Sequence, residues 1–155
     1  MQNTTLCYIE KDDSYLMLHR VKKENDYNKD KWIGIGGKIE ECESPEDCVL
    51  REVKEETGLT LASYKYCGLV TFVSDNNFTE YMHLFYSDDF SGSLIECEEG
   101  DLQWVKKDKM NDLPHWKGDE IFLDLIEKKA PFFSLKLNYE NSVLISAVLD
   151  GVKIY

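Results

Sequence analysis

The chain opens with two short runs of aliphatic, aromatic and β-branched residues, 4–9 and 15–20. They flank Lys11-Asp12-Asp13, and this pattern predicts a β-hairpin. A polar segment of mixed charge, 21–31, follows. Trp32-Ile33-Gly34-Ile35-Gly36-Gly37 then reads as extended backbone turning Gly-rich. From Ser44 the apolar spacing becomes helical and runs to Thr57. Ser44 suits the N-cap, Pro45 the first helical position, Asp47 the acid of a capping box, and Gly58 a left-handed stop. Val49, Leu50 and Val53 share a face that should pack on a sheet. Glu52, Glu55 and Glu56 fall together on the neighbouring one. Residues 62–74 and 78–87 read as strands joined at Asp75-Asn76-Asn77, with a short strand at 102–105. Ile121, Phe122, Leu125 and Ile126 mark an amphipathic helix over 117–129, closed by Pro131. Residues 133–137 and 142–148 complete the strands. Two separated helices among hairpin-linked strands indicate α/β or α+β with a mixed sheet, and no repeat or linker divides the chain.

The chain's 155 residues suit a single domain, 1–155. No apolar run approaches a membrane span, and the polar start does not resemble a signal peptide, so a cytoplasmic protein is expected. Thirty Asp and Glu against 18 Lys and Arg give a net charge of −12, which disfavours a nucleic acid duplex or an anionic membrane as partner. Five cysteines without a Cys-x-x-Cys pair argue for reduced thiols rather than a disulfide framework or a zinc site, with Cys48 a small buried filler.

The acidic helix face changes this picture. Carboxylates at i, i+3 and i+4 repel one another by a few tenths of a kcal/mol per pair, about 0.2–0.5. Arg51 can offset part of that through Glu55, and a hard divalent cation could offset the rest. A solvated acidic face is the plainer alternative. The wider spacing separates the two. From Gly37 to Leu59 the chain reads G-x5-E-x7-R-E-V-x-E-E-x-G-L, through Gly37, Glu43, Arg51, Glu52, Val53, Glu55, Glu56, Gly58 and Leu59. These residues resemble the Nudix box at every defined position.

The resemblance implies an α/β/α sandwich with a mixed sheet. It also implies hydrolysis of a nucleoside diphosphate derivative with Mg2+ or Mn2+, by attack of water on phosphorus. On that pattern Glu52, Glu55 and Glu56 hold metal, Gly37 contributes backbone, and Arg51 orients a glutamate. The metal would reverse the local sign, making an acidic protein compatible with a polyphosphate. Trp32-x-Gly34-x-Gly36-Gly37-Lys38 is similar to the MutT-type branch that hydrolyses oxidised purine nucleoside triphosphates. His115-Trp116-Lys117-Gly118-Asp119-Glu120 resembles that branch's base-recognition segment, so Trp116 would stack on the base and Asp119 bond its edge. One acid of that pair is replaced by Gly118.

Lys23 and Tyr27 match substrate contacts on a flexible loop, with Gly36, Gly37 and Lys38 beside the phosphates. Glu99 matches a mobile acid that reaches the metal cluster and serves as ligand or base; Glu98 is an equally placed rival. Ile33 stands where the branch has a base-reading asparagine, and it offers neither donor nor acceptor. Each residue also has a plainer reading: Trp116 as a core aromatic, Lys23 as a surface lysine, Glu99 as part of a solvated acidic run. The reaction expected is a nucleoside triphosphate giving monophosphate and pyrophosphate, as in an 8-oxo-dGTP diphosphatase that sanitises nucleotide pools. Dinucleoside polyphosphates, ADP-ribose or a pterin triphosphate are the alternative substrates. A nucleotide-sensing domain without turnover and an acidic metal-buffering module are the alternative classes. Oligomeric state is left open.

Overall fold

The computed structural model describes residues 1–24 and 26–155. Its first half contains β1 (Gln2–Lys11), β2 (Ser14–His19), β3 (Trp32–Ile33), α1 (Pro45–Thr57), β4 (Thr60–Ser74) and β5 (Phe78–Ser91). β6 (Asp101–Lys106), a 3-10 turn at Lys107–Asp112, α2 (Asp119–Glu127), β7 (Phe133–Glu140), β8 (Val143–Leu149) and β9 (Val152–Lys153) follow. Asp12-Asp13, Asn141-Ser142 and Asp150-Gly151 all carry positive φ at both positions. That is the type I′ turn, whose twist matches antiparallel strands, and it closes the β1–β2, β7–β8 and β8–β9 hairpins.

The strands form one mixed sheet in the order β3-β2-β1-β5-β4-β7-β8-β9, with β6 paired to β2. β1 runs parallel to β5, and β4 parallel to β7; the remaining pairings are antiparallel. Alternation along β1 sends Cys7 and Ile9 to one face and Tyr8 to the other. Val49 and Val53 of α1 pack with Cys7, Ile9, Leu16, Ile35 and Phe85. Phe122 and Ile126 of α2 pack with Tyr8, Val70, Phe72, Leu135 and Tyr139. One helix therefore covers each face, giving the expected α/β/α sandwich.

α1 begins as its sequence requires. The Ser44 hydroxyl accepts from the Asp47 N–H, and the Asp47 carboxylate accepts from the Ser44 N–H, both at 3.0 Å. Gly58 ends the helix at φ 83°. Leu50 departs from expectation: it is exposed, because only Val49 and Val53 point squarely at the sheet. α2 is shorter than the expected 117–129, since Gly118 serves as its N-cap and Lys129 takes a positive φ of 54°. β9 and the 3-10 turn are too short to show a period. Cys48 is the buried filler expected, with Sγ 3.3 Å from the Thr5 hydroxyl. The described cysteines are all free, and no helix among the described residues is long and apolar enough to cross a membrane.

The segment before α1 is bound edge-on to β1. Cys7 N–H donates to the Ile35 carbonyl and Ile35 N–H to that of Cys7, while Thr5 N–H donates to Gly37 and Ile39 N–H to Asn3. This fixes the Gly-rich turn against the sheet and aims α1 across its edge. Ser44→Ala should lower unfolding free energy by about 1 kcal/mol by removing the cap. Urea denaturation should show it as a lower midpoint at unchanged m-value. An unchanged midpoint would mean that docking alone fixes the start of α1.

Candidate active site

Glu52, Glu56 and Glu99 line one end of a cavity of about 1120 Å3. Glu52 rises from α1 directly onto the Gly-rich turn. A Cβ at Gly37 would stand 2.5 Å from the Glu52 carboxyl carbon, so a side chain there would push the Glu52 carboxylate from its place over the turn. Glu56 is 8% exposed and accepts the Gly36 N–H at 3.3 Å. Burial pushes its carboxyl well above the usual range, and the facing Glu99 and neighbouring Glu52 push it further. Burial alone would raise Glu99 too, but its bonds with Glu56 and Lys23 and the Arg20 charge hold it low. Of the two facing acids, Glu56 is therefore the one that favours the protonated form. Glu98 is exposed, so geometry favours Glu99 between the two rivals.

Arg51 organises the other side. Its Nε and Nη2 grip both oxygens of Glu43 at 2.6 and 2.9 Å, holding that carboxyl down at about 2. Its Nη1 donates to Glu52 at 2.8 Å and Glu55 at 3.2 Å, and Nη2 also reaches the Lys38 carbonyl at 3.1 Å. The anticipated Arg51–Glu55 pair is thus one arm of a larger clamp. Glu55 itself is 61% exposed and stands outside the cavity lining. Among the described residues no three acids are already drawn into a chelating cluster. The donor set nevertheless fits a hard divalent cation: carboxylate oxygens converge from two elements, and burial together with the facing Glu99 raises the Glu56 carboxyl above the usual range. Glu52, Glu56 and Glu99 would hold it. The Gly37 carbonyl already accepts the Thr5 N–H, and Glu55 would join only by turning from Arg51.

The other end of the cavity is aromatic. Trp116 is 6% exposed and packs edge-on against Phe72 and Tyr139, so it belongs to the core as well as to the cavity wall. Its indole N–H donates to Asn28 Oδ1 at 2.6 Å, and the Lys31 ammonium lies 4.4 Å from its ring centroid. The Tyr27 ring stacks on it at 5.2 Å and 18° while its hydroxyl donates to Ser74. Tyr27 itself is 51% exposed. Tyr27 thus covers the face of Trp116 on which it stacks. Asp119 is buried here, and burial pushes its carboxyl up to about 7, with His115 and Lys31 opposing and Glu120 adding. Gly118 has no room for an acid: a Cβ there would lie 2.5 Å from Leu137 Cδ1 and 2.7 Å from the Tyr139 hydroxyl. Ile33 lines the cavity, half-buried, and Lys38 stands exposed at its edge. Lys23 is tied to Glu99 at 2.9 Å on an exposed side chain.

The NUDIX domain family matches residues 2–126. The chain belongs to the Nudix family. The Bacillus subtilis Nudix hydrolase YvcI is 34% identical over 133 residues, covering 83% of this chain and 80% of the relative. The Danio rerio oxidized purine nucleoside triphosphate hydrolase is 30% identical over 133 residues, covering 84% and 85%. The crystal structure of a MutT protein from Bacillus halodurans superposes with a TM-score of 0.85 at 26% identity, over 97% of this chain and 98% of that one. This Nudix protein is accordingly a hydrolase. Sequence reasoning missed Arg20, Asn28, Phe72, Ser74 and Phe78 as cavity-lining residues. Only Arg20 left a signal, as one of two arginines in the chain.

The raised Glu56 carboxyl gives a stability test. Native Glu56 holds its proton above the ordinary carboxylate range, where the unfolded chain has already released it. Native protein then binds more protons than unfolded protein, and stability falls as pH rises from that range towards the raised value. Thermal unfolding without divalent ions should show this decline, Glu56→Gln should make it shallower while the raised Asp119 still contributes below about pH 7, and Mg2+ should offset it by favouring the native state. A wild-type profile no steeper than that of Glu56→Gln would remove the raised Glu56 carboxyl from the account.

Proposed function

We propose that this Nudix hydrolase cleaves purine nucleoside triphosphates, oxidised purines included, to monophosphate and pyrophosphate with Mg2+ or Mn2+. One observation carries the reading: a single cavity joins converging carboxylates to an aromatic wall and a buried acid of raised pKa. That spacing suits a ligand with an anionic tail and a planar, hydrogen-bonding head. The similarity to the zebrafish enzyme over four-fifths of both chains supports the same substrate class. A divalent ion held there would screen the phosphates and lower the pKa of an attacking water.

The protein's own groups divide the remaining work. Glu99, held low by Arg20 and Lys23, is placed to take a proton from the attacking water, while Glu52 and Glu56 face the ion. Arg51 keeps Glu52 turned towards the turn at Gly37 and leaves Glu55 in reserve. Lys23, exposed and paired only at the rim, can exchange Glu99 for a phosphate oxygen. Tyr27 offers a ring face to the base, backed by Trp116. Asp119, near half-protonated at neutral pH, can donate to or accept from the base edge. Ile33 adds an apolar wall that rewards no extra polar group on an oxidised purine.

A nucleotide panel with product chromatography tests the reaction. Monophosphate plus pyrophosphate from purine triphosphates is expected, and diphosphate plus phosphate would contradict it. Glu56→Gln should lower kcat by about 10²–10⁴, removing charge but not bulk; near-normal turnover at saturating Mg2+ would remove it from the site. Discrimination between 8-oxo-dGTP and dGTP should be modest in the native protein. Ile33→Asn should shift kcat/KM towards the oxidised nucleotide by about 1–3 kcal/mol, the scale of one good contact to a base edge. A strong native preference would show that another residue reads the base.

A further inference from the structure

Arg51 is accounted for by the box, but Arg20, the chain's other arginine, lies outside it. Its side chain is 14% exposed and makes two ties in opposite directions. Nε meets Asp26 Oδ2 at 2.5 Å on the β2–β3 segment, and Nη1 meets Glu99 Oε2 at 3.0 Å on the loop before β6. The backbone fastens the same place: Arg20 N–H donates to the Lys31 carbonyl, and Asp30 N–H to that of Arg20, at 3.0 and 2.7 Å. Asp26 passes the connection on. Its Oδ1 accepts the Asn28 N–H at 3.0 Å, and Asn28 Oδ1 in turn accepts the Trp116 indole N–H at 2.6 Å.

These bonds form an unbroken path from the aromatic end of the cavity to its acidic end: Trp116, Asn28, Asp26, Arg20, Glu99. A charged guanidinium is the one member that bonds an acid on each side, and charge-assisted bonds of this kind are the strong ones. Lys23 also reaches Glu99, through the other carboxylate oxygen, but from an exposed side chain whose bond can be exchanged. Arg20 is enclosed and holds its two acids together.

We propose that Arg20 is a positioning residue that couples the two ends of the cavity. It ties the β2–β3 segment, which carries Tyr27 and Asn28 at the base end, to Glu99 at the phosphate end. A nucleotide that orders the segment thereby orders Glu99, so recognition of the base reaches kcat and not KM alone. The proposal rests on the reading of Glu99 as the working acid in hydrolysis of a nucleoside triphosphate.

Steady-state kinetics of Arg20→Met, Glu99→Gln and the double variant form the test, with Arg20→Lys as a variant that keeps charge and bulk but has no fork to bridge two acids. Arg20→Met and Arg20→Lys should each lower kcat by about tenfold or more, the cost of a misplaced group near the chemistry. Arg20→Met should add less than about twofold to the loss already made by Glu99→Gln, because both act through one carboxylate. Hydrogen exchange of the nucleotide-free variants supplies a readout independent of turnover. Amides of Lys29, Asp30 and Lys31 and those flanking Glu99 should lose protection together, in Arg20→Lys as in Arg20→Met.

Fully multiplicative losses in the double variant, or loosening confined to one of the two segments, would overturn the coupling while leaving Glu99 as the working acid. Normal kcat in Glu99→Gln would instead overturn both the reading of Glu99 and the part given to Arg20.

Discussion

Everything at the acidic end follows from holding carboxylates closer together than water would allow. Glu52 and Glu56 leave one helix a turn apart, and Glu99 arrives from another loop to face them. Such a cluster is unfavourable unless positive charge surrounds it or a proton is retained. The protein uses both. Arg51 stands on one flank with Glu43, Glu52 and Glu55 in its grasp, Arg20 and Lys23 stand on the other, and burial favours a proton on Glu56. The arrangement is poised for a cation, which would replace that proton and relieve the repulsion. A cation held there would reverse the local sign in a chain of net charge −12.

The scaffold exists to keep this crowding in register. α1 is capped at both ends, anchored by Val49 and Val53, and preceded by a turn hydrogen-bonded along β1. The opposite end of the cavity is built from the other core, where Phe72, Trp116 and Tyr139 pack as aromatic neighbours. Trp116 therefore serves two masters. It is buried too deeply to be an open platform, and the half-exposed Tyr27 ring covers the face on which it stacks.

Local signals in the sequence carried far. Ser44, Pro45, Asp47 and Gly58 mark the helix to the residue, because capping depends on near neighbours. Asp12-Asp13 marks the first hairpin for the same reason. The glutamates of the box were legible through their spacing, since residues four apart on a helix must share a face. What stayed hidden was long-range. Nothing near Gly118 reveals that Tyr139 and Leu137 exclude a side chain there. Nothing near Asn28 reveals the Trp116 indole 88 positions away. Leu50 was misread because a helical face is about 100° wide, and one residue of rotation carries a side chain off it. Glu99 and Glu98 were indistinguishable by pattern; only the path of the loop against β2 separates the partly buried acid from the exposed one.

A divalent ion held among Glu52, Glu56 and Glu99 would have to displace the proton that burial favours on Glu56. Calorimetric titration of Mn2+ in buffers of different ionisation enthalpy measures it without any turnover. At neutral pH the account predicts release of about one proton per ion bound, because ligand carboxylates must be deprotonated to coordinate. Glu56→Gln should bind more weakly and release none. Equal Mn2+ affinity in both proteins, or wild-type binding with no proton released, would contradict the account.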